Sequence, residues 1–162
     1  MKSQLAQSLE KIEKLPTFLK NSARNIAIGS IVPFVGKAGI KFEKTEPQEW
    51  VATLANKRKV QNHLKQIHAC GMVLLAETLG VMIMAMNVDK DKIPLVKNIE
   101  ASFVKRSTGS MRGVVRLTDK QLAFIQANEK GEMEVEVEIT DEAGVQPIIV
   151  KVTSAWIPKK RE

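Results

Sequence analysis

The sequence predicts an α+β domain in which a curved antiparallel sheet wraps around one long apolar helix. Between Gly71 and Met86 the only polar side chains are Glu77 and Thr78, so a helix there is apolar all round and must be buried on nearly every side. Segments of alternating polarity lie before and after it, with the period of half-buried strands. The later ones follow one another through short turns, as antiparallel hairpins do.

Composition narrows the class. A chain of 162 residues with 44% hydrophobic and 27% charged residues suits one compact soluble domain. The net charge of +7 favours anionic partners in general. Nucleic acid is disfavoured, because the basic residues are scattered and the chain has no Tyr, two Trp and five Phe to stack on bases. The single cysteine, Cys70, excludes a disulfide framework and a Cys-rich zinc site. The N-terminus lacks a secretory apolar core, and Glu10 and Glu13 argue against a transit peptide. A cytoplasmic address is expected.

Taken in order, Leu5, Leu9 and Ile12 recur at helical spacing, Pro16 interrupts, and Phe18, Leu19, Ala23 and Ile26 resume the pattern. These predict two short amphipathic helices, an N-terminal arm over residues 1–30. Acids interrupt its basic face, which favours packing on the domain over docking at a membrane. The GKAG at Gly36 lacks the spacing and the Ser/Thr of a phosphate loop and is expected to be a turn. Strands are expected over Gly39 to Glu46 and Glu49 to Leu54. After the helix, Ile93 to Arg106 reads as a strand with Leu95, Ile99, Ala101 and Phe103 on one parity and Lys97 as an exception. Gly109 to Leu117 gives another, with Met111, Val115 and Leu117 on one face. Thr118 to Gly131 is a short capped helix or a wide connection.

The clearest alternation sets Met133, Val135, Val137 and Ile139 inward against Glu132, Glu134, Glu136 and Glu138 outward. A turn at Asp141 to Gly144 closes a hairpin with Val145 to Pro158. The glutamate row fits a solvated face opposite bases such as Lys151 better than a cation site.

The apolar helix has about the minimum length to span a membrane. A carboxylate at a bilayer centre costs about 2.5 to 3.5 kcal/mol, and the flanking strands are of soluble type, so no transmembrane segment is expected. In a protein core, desolvation favours the neutral form of Glu77. It is either a structural acid bonded to an amide or an Arg, or a group poised to take a proton. His68 and Ala69 stand where the first turn begins, and free amides there can bind a developing oxyanion. Glu77 lies nine residues beyond His68, roughly 13 Å along the axis. One helix cannot easily bring both to one carbonyl, but two antiparallel neighbours in a two-fold dimer can.

Neither a thiol nucleophile nor a metal centre is expected from Cys70, His63 and His68. No third orienting group is evident, and their spacing fits no standard zinc pattern.

The order Asn62, six residues to His68, then Ala69 opening the helix and Glu77 nine beyond the His resembles the hotdog-fold thioesterase superfamily. The likeness is to the phenylacetate-pathway type and to a related, poorly characterised family of single-domain bacterial hotdog proteins. VPFVGKAGIKFEKTEP upstream and LVKNIEASFVKRSTG downstream are also similar to family segments, and the resemblance spans roughly Ile31 to Pro158. It implies a hotdog domain over residues 31–162 and a cytoplasmic homodimer or tetramer that hydrolyses acyl-CoA or a related thioester without a cofactor.

By the same resemblance, Glu77 is the base or nucleophile and the Ala69 N–H polarises the thioester carbonyl. Asn62 orients the acid or the attacking water, and His68 supports the carbonyl or the loop. Lys105, Arg106 and Arg112 would hold the phosphates of coenzyme A, or else form a solvated turn. Met72, Met82 and Met84 line an acyl tunnel or are plain core. Ala69 and Cys70 stand where the family carries glycines, so a non-catalytic module that binds an acyl or coenzyme A ligand is the alternative.

Overall fold

A computed structural model describes residues 2–159. The elements in chain order are helices α1 (Gln4–Glu13), α2 (Thr17–Ile31) and α3 (Pro33–Ala38), strands β1 (Ile40–Glu46) and β2 (Glu49–Leu54), and helix α4 (Ala69–Asn87). They continue with β3 (Lys92–Phe103), β4 (Met111–Arg116), α5 (Asp119–Ala127), β5 (Gly131–Asp141) and β6 (Ile148–Pro158). The six strands form one antiparallel sheet in the order β1-β2-β4-β5-β6-β3. It curves around α4.

The sequence-level signals are used locally as expected. Ser3 caps α1 by accepting from the Ala6 amide at 3.0 Å, and Pro16 separates α1 from α2. Thr118 and Gln121 form a reciprocal capping box, so Thr118 to Gly131 contains a capped helix. The turn expected at Gly36 is instead the end of α3. Pro33 at its first position pre-sets the helical φ, and Gly39 ends it with φ +83°, a conformation only glycine adopts without strain.

The sheet's concave face carries Trp50, Ala52 and Leu54 of β2, Val135, Val137 and Ile139 of β5, and Ile148, Val150, Val152 and Trp156 of β6, all buried. Against it lie Leu75, Leu79 and Ile83 of α4, each fully buried. Burial of one such side chain contributes about 1.5–3 kcal/mol, against helix propensities of tenths of a kcal/mol, so packing holds α4. Two glycines set the approach. A Cβ on Gly80 would come within 2.8 Å of Val152, and one on Gly113 of β4 within 2.5 Å of Leu79.

By length and composition alone α4 could cross a membrane; here it is the core helix. The glutamates of β5 lie exposed on the convex face, where Glu134 pairs with Lys151 at 3.0 Å and Glu138 with Arg116 at 3.7 Å.

β3 differs from its expected parity. A bulge between Val96 and Asn98 leaves Lys97 outside the pairing with β6, and one extra residue reverses the faces beyond it. Pro94, Val96, Ile99, Ala101 and Phe103 therefore face α4, opposite Trp156, Ser154, Val152, Val150 and Ile148. Leu95 falls on the other face.

The arm packs on the domain through buried Leu9 and Ile28 and through Arg24. The buried Arg24 guanidinium meets a Glu13 carboxylate oxygen at 2.7 Å and donates to the Glu43 carbonyl of β1 at 2.9 Å.

Candidate active site

α4 starts from a short loop that its own polar groups build. The Asn62 Oδ1 accepts from the amides of Leu64 at 2.9 Å and Gln66 at 3.1 Å. The Asn62 amide in turn donates to the Gln66 carbonyl at 2.8 Å. This tight loop returns the chain so that the His68 amide donates to the Val60 carbonyl at 2.8 Å. His68 then caps α4, its Nδ1 accepting from the Cys70 amide at 3.1 Å.

The Gly71 and Met72 amides turn back to the His68 carbonyl. Among the described residues, the Ala69 amide has no acceptor. Asn62, His68 and Ala69 thus share one end of the helix, and the carboxamide nitrogen of Asn62 makes no hydrogen bond among the described residues.

Glu77 stands apart from them, roughly 13 Å farther along α4. The sheet does not enclose this side of the helix. Val73, Leu74, Glu77, Val81 and Ala85 are half-buried, in contrast to the buried residues between them, and their spacing follows one helical stripe. Burial pushes the Glu77 carboxyl up from the ordinary glutamate value, and the adjacent Thr78 hydroxyl opposes this in part. The Thr78 Oγ1 makes no well-formed hydrogen bond, so desolvation dominates. Among the described residues no Lys, Arg or His pairs with Glu77, which leaves its carboxyl free to exchange a proton.

The other wall of the open side is β3. Gly80 packs on Val152, the ladder partner of Ile99, so the middle of β3 lies level with the middle of α4. Val96 and Phe103 are 39% and 51% exposed although they face the helix. The half-buried stripe of α4 is apolar apart from the Glu77 carboxyl, and the side chains that β3 turns toward the helix from Pro94 to Phe103 are apolar throughout.

The remaining expected site residues are dispersed. Lys105 and Arg106 are exposed in the loop after β3, which is tied down by the Val104 and Lys105 amides donating to the Pro147 carbonyl. Arg112 alternates with the inward Met111 and Gly113, so it lies on the convex face, its Nε 3.1 Å from Glu43. Met72 and Met84 are core, and Met82 borders a cavity beside α1. The sequence reading missed the bulge that turns Val96 toward α4 and the half-buried stripe that Val81 and Ala85 continue from Glu77. Lys97, the exception in an apolar parity, was the available sign of the first. The second has no sign in a helix apolar on every side.

Solved structures share this architecture. A protein of unknown function from Pseudomonas aeruginosa, described as a probable thioesterase, is 22% identical with a TM-score of 0.75, over 89% of this chain and 97% of that one. A thioesterase from Haemophilus influenzae is 16% identical with a TM-score of 0.70, covering 88% and 93%. A mutant of a thioesterase enzyme from Staphylococcus aureus is 16% identical with a TM-score of 0.68, covering 78% and 100%. At these identities the likeness shows the fold, which is the hotdog fold. No curated protein sequence matches the chain. Residues 21–157 match the family described as a domain of unknown function, DUF4442, and with most of its length inside that match the chain belongs to this family.

Proposed function

We propose that the protein is a cytoplasmic thioesterase that hydrolyses acyl-CoA or a related thioester in a site shared between two subunits. The observation that carries this is Glu77, a carboxyl unpaired among the described residues, its proton affinity raised by burial, on an otherwise apolar half-buried stripe of α4. A base in such a place is poised for proton transfer. Glu77 takes a proton from water as that water attacks the thioester carbonyl. The tetrahedral oxyanion accepts the free Ala69 N–H of the partner subunit. Collapse breaks the C–S bond, and the proton held by Glu77 passes to the departing thiolate.

The other loop residues take supporting parts. With its oxygen occupied by the loop amides, Asn62 can only donate, so it orients the Glu77 carboxylate or the oxygen of the attacking water. His68 fixes the first turn and so aims the Ala69 amide. Lys105 and Arg106, beyond the end of β3, contact the phosphates of coenzyme A; Arg112 would reach them only from the convex face.

Two features favour the dimer. β3 is a 12-residue edge strand, and a long uncovered edge is normally protected by pairing or cover. Its helix-facing side chains are also incompletely buried by the chain's own helix. A second copy across β3 covers both and sets one α4 beside the other.

The test is hydrolysis by the purified protein of short, medium, long and aromatic acyl-CoAs, with Glu77→Gln alongside. Turnover that falls by about a hundredfold or more in the variant, the scale of general-base catalysis, supports the proposal. No turnover by the wild type, with an acyl-CoA still bound, would instead mark a non-catalytic binding module.

A further inference from the structure

We infer that the N-terminal arm completes a pocket for the far end of a long alkyl chain, making the substrate class medium- to long-chain acyl thioesters. This rests on the proposed role of Glu77 at the thioester.

A cavity of about 570 Å³ lies between the arm, the C-terminal half of α4 and the start of β3. Leu5 of α1, Ile31 of α2 and the following Val32 close one side, and Val81, Met82 and Ala85 of α4 form the other. Its size is that of small-molecule sites, and its lining is mostly apolar, as such sites are.

The cavity lies along the same stripe of α4 as Glu77. Glu77, Val81 and Ala85 follow one another at intervals of four residues on the open stripe of α4, and the last two border the cavity. From Glu77 the rise is roughly 6 Å to Val81, where the cavity begins, and roughly 12 Å to Ala85. The opposite wall is continuous too, because Pro94 borders the cavity and shares the helix-facing side of β3 with Val96. An acetyl or butyryl group held at Glu77 would end short of the cavity, whereas a dodecanoyl chain would enter it and run its length.

Two of the three lysines at the rim, Lys90, Lys92 and Lys159, are already engaged. The Lys92 ammonium is taken by the Asn128 carbonyl at 2.9 Å and Asp89 at 3.3 Å, and that of Lys159 by the Lys90 carbonyl at 2.8 Å. What the cavity offers is apolar surface. Each methylene buried there should tighten binding by about fourfold, the equivalent of about 0.8 kcal/mol.

The experiment is calorimetric titration of the full-length Glu77→Gln protein with butyrate, octanoate and dodecanoate, repeated with Ala85→Phe and Ile31→Glu added singly. The first substitution fills the cavity from α4. The second places a charge at its rim, at a side chain 60% exposed and so tolerant of change. Dodecanoate affinity at least tenfold above that of octanoate, reduced at least tenfold by either substitution in a folded protein, is the expected result. The same pattern in a protein without hydrolase activity still supports the pocket and removes only the catalytic proposal. Affinities that do not change with chain length, including those produced by a partner subunit filling the cavity, would overturn it even if hydrolysis is observed.

Discussion

His68 accepts the Cys70 amide through Nδ1 at 3.1 Å, and the amide left without an acceptor at the start of α4 is that of Ala69, between them. Removing the cap by His68→Ala should cost about 1 kcal/mol of stability. His68→Asn, which also caps, should restore most of it. Thermal melts of the three proteins check this, and if His68 aims the Ala69 amide, hydrolysis should recover together with the cap.

Glu77 links activity to pH. Its carboxyl is raised by burial, so as a base it should give kcat/KM an acid limb with its midpoint above 4.5, the ordinary value. A pH–rate profile measures this directly.

The same shift has a sign for stability. The folded state binds this proton more tightly than the unfolded state, so the contribution of Glu77 is fully present below its unfolded pKa and is lost as pH rises through the folded one. Glu77→Gln should therefore raise Tm at pH 7 and leave it little changed at pH 3. An equal or lower Tm at pH 7 would mean that the carboxylate has a stabilising partner in the assembled protein.

Gly80→Ala sets two effects against each other. Alanine is favoured in a helix by about 1 kcal/mol, but its Cβ would meet the branched carbon of Val152 at 2.8 Å, and overpacking of this kind costs about 1–3 kcal/mol. The clash is with a Cβ held by its strand, so a net loss of about 1 kcal/mol is expected, lowering Tm by roughly 2–4 °C.

Val96→Lys tests the shared site. It puts a charge on the helix-facing side of β3 where the chain leaves that face uncovered. Sedimentation at micromolar concentration should show a dimer for the wild type and a shift toward monomer for the variant, with hydrolysis falling in parallel. A wild-type monomer that hydrolyses thioesters at full rate would end the two-subunit mechanism.

Local signals made much of this protein legible. The long apolar run from Gly71, broken only by Glu77 and Thr78, announces a helix that something must enclose, and the alternation from Glu132 to Ile139 announces a strand with one wet face; both follow from side-chain period and need no knowledge of neighbours. A carboxyl at position 77 is conspicuous for the same reason. The GKAG segment escaped because its helix depends on Pro33 at one end and the left-handed Gly39 at the other.

Tertiary structure decided the rest. Lys97 leaves the ladder because β6 pairs with the residues on either side of it, and that displacement turns Val96 toward α4. Which side of α4 is left half-buried is decided by how sheet and helix pack, and Gly80 and Gly113 are where they meet too closely for a Cβ. The cavity exists only where Leu5, Ile31 and Val32 meet the end of a helix more than fifty residues later in the chain. Periodicity is a property of neighbours in sequence, whereas bulges, grooves and cavities arise where distant segments fit or fail to fit.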